Sequence, residues 1–391
     1  MRRTGRFRRN KQKKILIIGS LSLLLFLCVG YAAFQTNLSL TARGNIKERN
    51  NLYVSSTGSD TKGNGTINKP YATIQKAYNS AWENSTIYVM DNITQTNTVT
   101  MDKNKDVILT SYSQTGNTNS IIRSSSLTTH LINVQNGALT LQNITINGND
   151  VPSQDSMINV ASEVYMEEGT LITKANNVND WGGGFSVNGG TLTMNGGTIS
   201  DCKYTGGAAV FVFGDHQEGD NYEGNKEGTF IMNDGLITNN NSAYTIWSAG
   251  KLQFNGGTIS NNTSSRFAII NSAGSLNITN TNIINNNTNS TLADGWKAIV
   301  KCTNYLQITC NMTMTGGIIA NNQIIDGPAI SVINNASFTL DGGKIMNNIS
   351  NGNLYGYGGV YVVNSTYTYK SGIVCGNTPA NKYETSTTCP N

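Results

Sequence analysis

The sequence predicts an all-β solenoid, a parallel β-helix. Three observations carry this: a repeated unit, apolar columns of strand periodicity within it, and a glycine at one fixed corner of it. The unit is typified by Gly190-Thr-Leu-Thr-Met-Asn-Gly-Gly-Thr-Ile-Ser-Asp-Cys202. Degenerate copies begin at Gly137, Ser162, Gly190, Gly228, Gly250, Gly274, Cys310, Ala336 and Ser365. The steps between copies are irregular, roughly 22 to 38 residues, so the loops vary while the strands persist.

The first column holds Leu139, Val164, Leu192, Phe230, Leu252, Leu276, Met312, Phe338 and Tyr367. Two residues on, the second holds Leu141, Met166, Met194, Met232, Phe254, Ile278, Met314, Leu340 and Tyr369. That alternation, with Thr, Asn and Gln between, is a strand with one buried and one wet face. Beyond a corner supplied by Gly169, Gly197, Gly235, Gly257, Gly317, Gly343 and Gly372 comes a third column: Ile146, Leu171, Ile199, Ile237, Ile259, Ile283, Ile319, Ile345 and Val374. Next is an aligned asparagine at 149, 240, 262, 286, 322, 348 and 377, a residue that tolerates a left-handed bend. Stacked copies would line these amides up in a ladder. A third strand precedes each new copy, as in Leu131-Ile-Asn-Val134, Met157-Ile-Asn-Val160 and Ala209-Val-Phe-Val212. One such turn cannot bury its own apolar face, but stacked turns build three parallel sheets around one core.

Composition agrees. Charged residues make up 13%, and there are 41 glycines but only 5 prolines. The net charge of +4 comes from one end, where Arg2, Arg3, Arg6, Arg8, Arg9, Lys11, Lys13 and Lys14 crowd together. No basic stripe remains on the repeats, which argues against nucleic acid as a partner. The basic end (1–14) runs into an uncharged apolar stretch (15–34), read as a signal peptide or an N-terminal transmembrane anchor. Either way the positive end stays cytoplasmic and the repeats are exported, to the cell surface or the extracellular space. Residues 35–50 are a polar tether, 51–84 a capping segment and 85–391 the β-helix.

In the capping segment, Leu52-Tyr-Val-Ser-Ser-Thr-Gly-Ser-Asp60 reads as a strand. Lys69-Pro-Tyr-Ala-Thr-Ile-Gln-Lys-Ala-Tyr-Asn-Ser-Ala81 reads as an amphipathic helix with Pro70 in its first turn and Ile74, Ala77, Tyr78 and Ala81 on one face. A solenoid needs such a lid over its open end. The segment from Tyr53 to Ala81 resembles the entry segment of exported right-handed parallel β-helix proteins of the pectate-lyase-like fold. The Gly-Gly-x-Ile-x-x-Asn repeats resemble those of adhesin-like bacterial surface proteins. The resemblance, with the right-handed rule for parallel crossovers, implies a right-handed coil. It implies fold more than function, since the superfamily includes polysaccharide lyases, glycoside hydrolases and non-catalytic adhesins.

Catalysis in such relatives needs a carboxylate pair, or calcium-binding acids beside a lysine or arginine base. Asp201, Asp234 and Asp341 stand at corners of separated turns, and His130 and His216, the two histidines, have no evident triad or metal partner. The sequence therefore assigns no catalytic, cofactor-binding or metal residue. Asp215, Glu218, Asp220 and Glu223 form an acidic loop that could take calcium but lacks the spacing of a known calcium hand. Trp181 and Trp296 are candidate ligand contacts, as flat platforms for sugar rings, whereas Trp247 falls in a third-type strand and reads as core. For an exported chain, Cys302 with Cys310 and Cys375 with Cys389 are the expected disulfides, the second closing the polar tail. Cys202, at the asparagine position, is expected to stay reduced. The expected function is a non-catalytic, adhesin-like surface protein that binds polysaccharide or matrix polymer. A polysaccharide lyase or glycoside hydrolase is the alternative.

Overall fold

The computed structural model describes residues 51–391 except 114–117, 179–181, 205–207, 216–224, 267, 290–296, 306, 353–356, 380–382, 386–388 and 390–391. The chain divides into two units, 1–48 and 49–391. The basic end, the apolar stretch and the tether lie outside the described residues. Among the described residues, no helix is long and apolar enough to cross a membrane.

The second unit is a right-handed parallel β-helix. Strands such as Thr191–Met194, Thr229–Met232 and Lys251–Phe254 stack in register as a first ladder. Thr198–Ser200, Leu236–Thr238 and Thr258–Ser260 form a second. Past the corner the continuous strands Ser337–Met346 and Thr366–Cys375 join both into a 21-stranded sheet. A 10-stranded third ladder, including Phe185–Val187, Tyr244–Ser248 and Ile330–Ile333, closes the coil. From Pro152–Ser153 onward the turns also carry a two-residue strand, as at Asn241–Ser242, in an 8-stranded ladder between the second and third. Pairs this short leave no periodic signature, so the sequence showed three strands per turn and not four.

The first two columns are Cα partners from Leu139 to Tyr367 and from Leu141 to Tyr369. All their members are buried except Tyr367, partly buried, and Tyr369, 48% exposed at the end of the stack. The third column needs one correction: Ile172, not Leu171, stands between Ile146 and Ile199. The corner Glu167-Glu168-Gly169-Thr170 is one residue longer than its neighbours, and a slip of one residue turns a strand side chain to the other face. The corner glycines are required by geometry. Gly317 sits at φ +78, and a Cβ there would lie 2.4 Å from the Thr281 carbonyl of the turn above.

The asparagine ladder exists, but its chemistry differs from the expectation. The left-handed residues are those just before it, Asn239, Asn261, Asn285, Asn321 and Asn347. Asn240, Asn262, Asn286, Asn322, Asn348 and Asn377 are instead buried to 3% exposure or less and linked amide to amide, as in Asn262 Nδ2 to Asn286 Oδ1 at 3.0 Å. Each Nδ2 also bonds backbone carbonyls, so these side chains satisfy the inside of the bend. Asn149 is exposed at φ 56 and takes no part. Cys202 occupies the ladder position above Asn240, its N–H donating to Asn240 Oδ1 at 3.2 Å, and is buried without a disulfide.

The N-terminal end is closed by helix α1, Ile74–Ser80, with Ile74, Ala77 and Tyr78 buried. Pro70 precedes the helix instead of opening it. Thr73 is the N-cap, accepting from Lys76 N and held by Asp60, so the helix starts where a side chain satisfies its free donors. Gln75 pairs its amide with both Thr100 N (2.7 Å) and Thr100 O (3.0 Å), completing the edge of the third ladder as a strand would. Lys105 donates to the Tyr78 and Ala81 carbonyls at the helix C-terminus. At the other end Tyr383 packs against Tyr367, with ring centroids 4.9 Å apart. Thr385 bonds Val374, and the Cys375–Cys389 disulfide ties the tail down.

Candidate ligand-binding surfaces

Burial of every apolar column leaves the outward positions of the ladders as the available surface. On the first ladder these are mostly Thr, Asn, Ser and Gln, and they change character at the N-terminal turns. Tyr53 and Tyr88 are register partners pointing outward, their rings stacked at 5.2 Å and 18°. Tyr112, positioned by its N–H on the Val89 carbonyl, meets them edge-on at 5.4 and 5.8 Å. Beside them Asp91 accepts from Ser55 Oγ (2.6 Å) and Ser56 N (2.8 Å), and Asn119 Nδ2 donates to the Val89 carbonyl. Partial burial, then the neighbouring phenols Tyr88 and Tyr112, raise the Tyr53 pKa. Its hydroxyl stays protonated at neutral pH, able to donate and accept. The core does not use these rings. Apolar faces with polar tips suit a flat, hydroxyl-rich ligand. Sequence reading passed over them, although Leu52-Tyr-Val54 and Ile87-Tyr-Val89 share one in-out-in pattern.

A second cluster forms where none was expected. His130 Nδ1 lies 3.0 Å from the Ser156 carbonyl and 3.1 Å from Ser156 Oγ, and Ser156 Oγ lies 2.8 Å from Ser186 Oγ. This resembles a nucleophile and base but is wired the other way. A carbonyl can only accept, so Nδ1 carries a hydrogen, and Ser156 Oγ is left to donate to the Ile158 carbonyl at 3.1 Å. An activated serine needs the lone pair of that nitrogen. Burial, opposed by Asp155 and by the Ser156 carbonyl, lowers the His130 pKa. Nearby, Arg123 is 1% exposed and donates to the Leu127 and Thr129 carbonyls, and burial lowers its pKa to about 10. The cluster braces the loop between turns.

The outward row of the third ladder runs Ser186, Phe211, Trp247, Asn271, Lys301, Ser331, Tyr361. Trp247 stacks on Phe211 at 4.3 Å and meets Tyr305 edge-on at 5.7 Å. It thus packs outside the coil and not in the central core. Phe211 is 5% exposed, so its ring offers no open face. Burial lowers the Lys301 pKa to about 8. An open groove of about 530 Å³ crosses the glycine corner, between Asn282, Ile318, Lys344 and Ile373, and has no aromatic wall.

Trp181, Trp296, His216, Glu218, Asp220 and Glu223 lie outside the described residues. Asp215 is exposed, Asp201 is a left-handed turn residue at φ 56, and Asp341 pairs with Lys370 at 3.3 Å. Among the described residues no group of His, Cys, Asp and Glu could hold a metal. Both expected disulfides form, Cys302–Cys310 and Cys375–Cys389. Comparison with protein-family models, with curated proteins and with solved structures finds no match.

Proposed function

We propose that this chain is a non-catalytic, exported β-helix protein of the pectate-lyase-like, adhesin-like type that binds polysaccharide or matrix polymer at the cell surface. The observation that carries the reading is the outward cluster of Tyr53, Tyr88 and Tyr112, three rings with no role in the core. Below it the first ladder continues as an uncharged row, Thr140, Tyr165, Thr193, Ile231, Gln253, Asn277, Thr313 and Thr339 on successive turns, all but Ile231 with hydrogen-bonding side chains. A long polymer could lie along such a face. Export is supported by the basic and apolar N-terminal residues and by the two disulfides, which persist in oxidising compartments. The test is a glycan and matrix-protein array with the full chain, followed by titration of each hit. A ring stacking contributes about 1 kcal/mol, so Tyr88→Ala should weaken binding about five- to tenfold and the triple alanine variant far more. Equal affinity for the triple variant and the parent would sink the platform.

A second reading, a polysaccharide-active enzyme, is favoured by one group, Lys301, whose pKa of about 8 suits a base near neutral pH. Release of unsaturated products or reducing ends that Lys301→Met abolishes would establish it in place of the first.

A further inference from the structure

The tyrosine platform begins a row that runs further along the coil. Tyr53, Tyr88, Thr110 and Gln142 are register partners, each one residue past the second apolar column. On the following turns Glu167, Asn195, Asn233 and Asn255 hold the same place, each N–H donating to the column carbonyl of the turn above, as Asn195 N does to Met166 O at 2.8 Å. The three asparagines are exposed, yet their side chains are not free to turn. Asn195 Nδ2 donates to Glu167 Oε1 at 2.7 Å, Asn233 Nδ2 to Asn195 Oδ1 at 2.9 Å and Asn255 Nδ2 to Asn233 Oδ1 at 2.9 Å. Ionised Glu167 can only accept, which fixes the direction of the whole chain of amides. Each amide keeps an N–H and a carbonyl lone pair for solvent, and a ligand that used them would find the rotamers already chosen.

Charge along this edge has one sign. Glu167, Glu168 and Asp234 stand at its corners and Asp91 beside Tyr88, and from Tyr88 to Gly257 no corner between the first and second ladders carries a lysine or arginine. Three of these acids are held by the protein itself: Asp91 by Ser55 and Ser56, Glu167 by Asn195, and Asp234 by the Gly235 N–H at 2.7 Å. They act as a fixed negative background and not as ligands awaiting a cation. We propose that this row binds an uncharged polysaccharide laid parallel to the coil and turns away acidic ones. The inference rests on the polymer-binding reading and adds to it the class of polymer. Sugar hydroxyls match amides that offer a donor and an acceptor on each turn, about 4.8 Å apart, while the phenol rings at the N-terminal end take the face of a sugar. An acidic polymer would set its charges beside four carboxylates with no base to offset them, a repulsion that low salt leaves unscreened.

The test uses the full chain in mild detergent with soluble glucans, mannans and galactans, each offered plain and with part of its primary hydroxyls oxidised to carboxylates. The plain form of any polymer that binds should bind about tenfold more tightly than its oxidised form at about 20 mM salt, and the gap should shrink at about 0.5 M. The combined variant Glu167→Gln, Glu168→Gln, Asp234→Asn keeps every acceptor and removes three charges, so it should narrow the low-salt gap about threefold or more. Asn233→Leu lies five steps, or about 24 Å, along the row from Tyr88 and should weaken the plain polymer about threefold or more. Gln323→Leu, exposed on the ladder of two-residue strands, is the control and should not. Melting temperatures within a few degrees of the parent would show that the variants fold. Equal affinity for plain and oxidised forms, tighter binding of the oxidised form, or plain-polymer binding indifferent to Asn233→Leu would overturn the proposal and leave the polymer reading standing. So would binding of a polycation such as chitosan alone. Binding of no polysaccharide would remove the polymer reading and this inference with it.

Discussion

His130 is a residue whose neighbours decide its protonation. Burial disfavours the imidazolium, Arg123 adds to that, and Asp155 and the Ser156 carbonyl act against it with a smaller net effect. The folded pKa lies below the ordinary 6.5, so the unfolded chain takes up the proton first. The stabilisation from neutral His130 is fully present above pH 6.5 and is lost as pH falls through the folded pKa. His130→Gln, which can still donate to the Ser156 carbonyl, should flatten the decline in stability below pH 6.5. Urea midpoints from pH 7.5 to 5 measure this, and parallel curves for parent and variant would show that another group takes the proton. Nothing local to His130 in the sequence reveals the contact, because Ser156 is brought over it by a turn 26 residues long.

The element that most depends on cooperation between turns is the asparagine ladder. Asn286 Oδ1 accepts from Asn262 N (3.0 Å) and Asn262 Nδ2 (3.0 Å), while its own Nδ2 serves the Ile259 carbonyl and Asn322 Oδ1. Removing it strands buried donors above and acceptors below. Asn286→Ala should therefore cost about 2 to 4 kcal/mol in chemical denaturation, against less than about 0.5 for Asn277→Ala on the exposed face. Equal costs would mean that water replaces the ladder. The aligned asparagines were legible in the sequence as a bend signal, but their role was not. Which of two adjacent residues, Asn285 or Asn286, takes the left-handed conformation and which turns inward is decided by the stack of amides already in place.

For the molecule as a whole, the ends are the weak points of a structure whose middle repeats. The tail between Cys375 and Cys389 covers the last turn through Tyr383 and Thr385. Replacing both cysteines by serine should lower stability by about 3 kcal/mol, chiefly by freeing the unfolded chain, and should make the tail the first site of proteolysis. Unchanged stability would mean that packing alone holds it. The sequence by itself determined the coil, its three main columns, its corner glycines and both disulfide pairs. Period-two alternation and glycine at a positive φ are local requirements that any stack of such turns must meet. Only the tertiary structure decided which residues stand above one another. Turns differ in length, so the ladder joins residues 38 apart at Cys202 to Asn240 but 22 apart at Asn240 to Asn262. A one-residue change at a corner exchanges Ile172 for Leu171. The tyrosine platform, the His130 contact and the burial of Lys301 all arise between turns, where sequence separation carries no measure of distance.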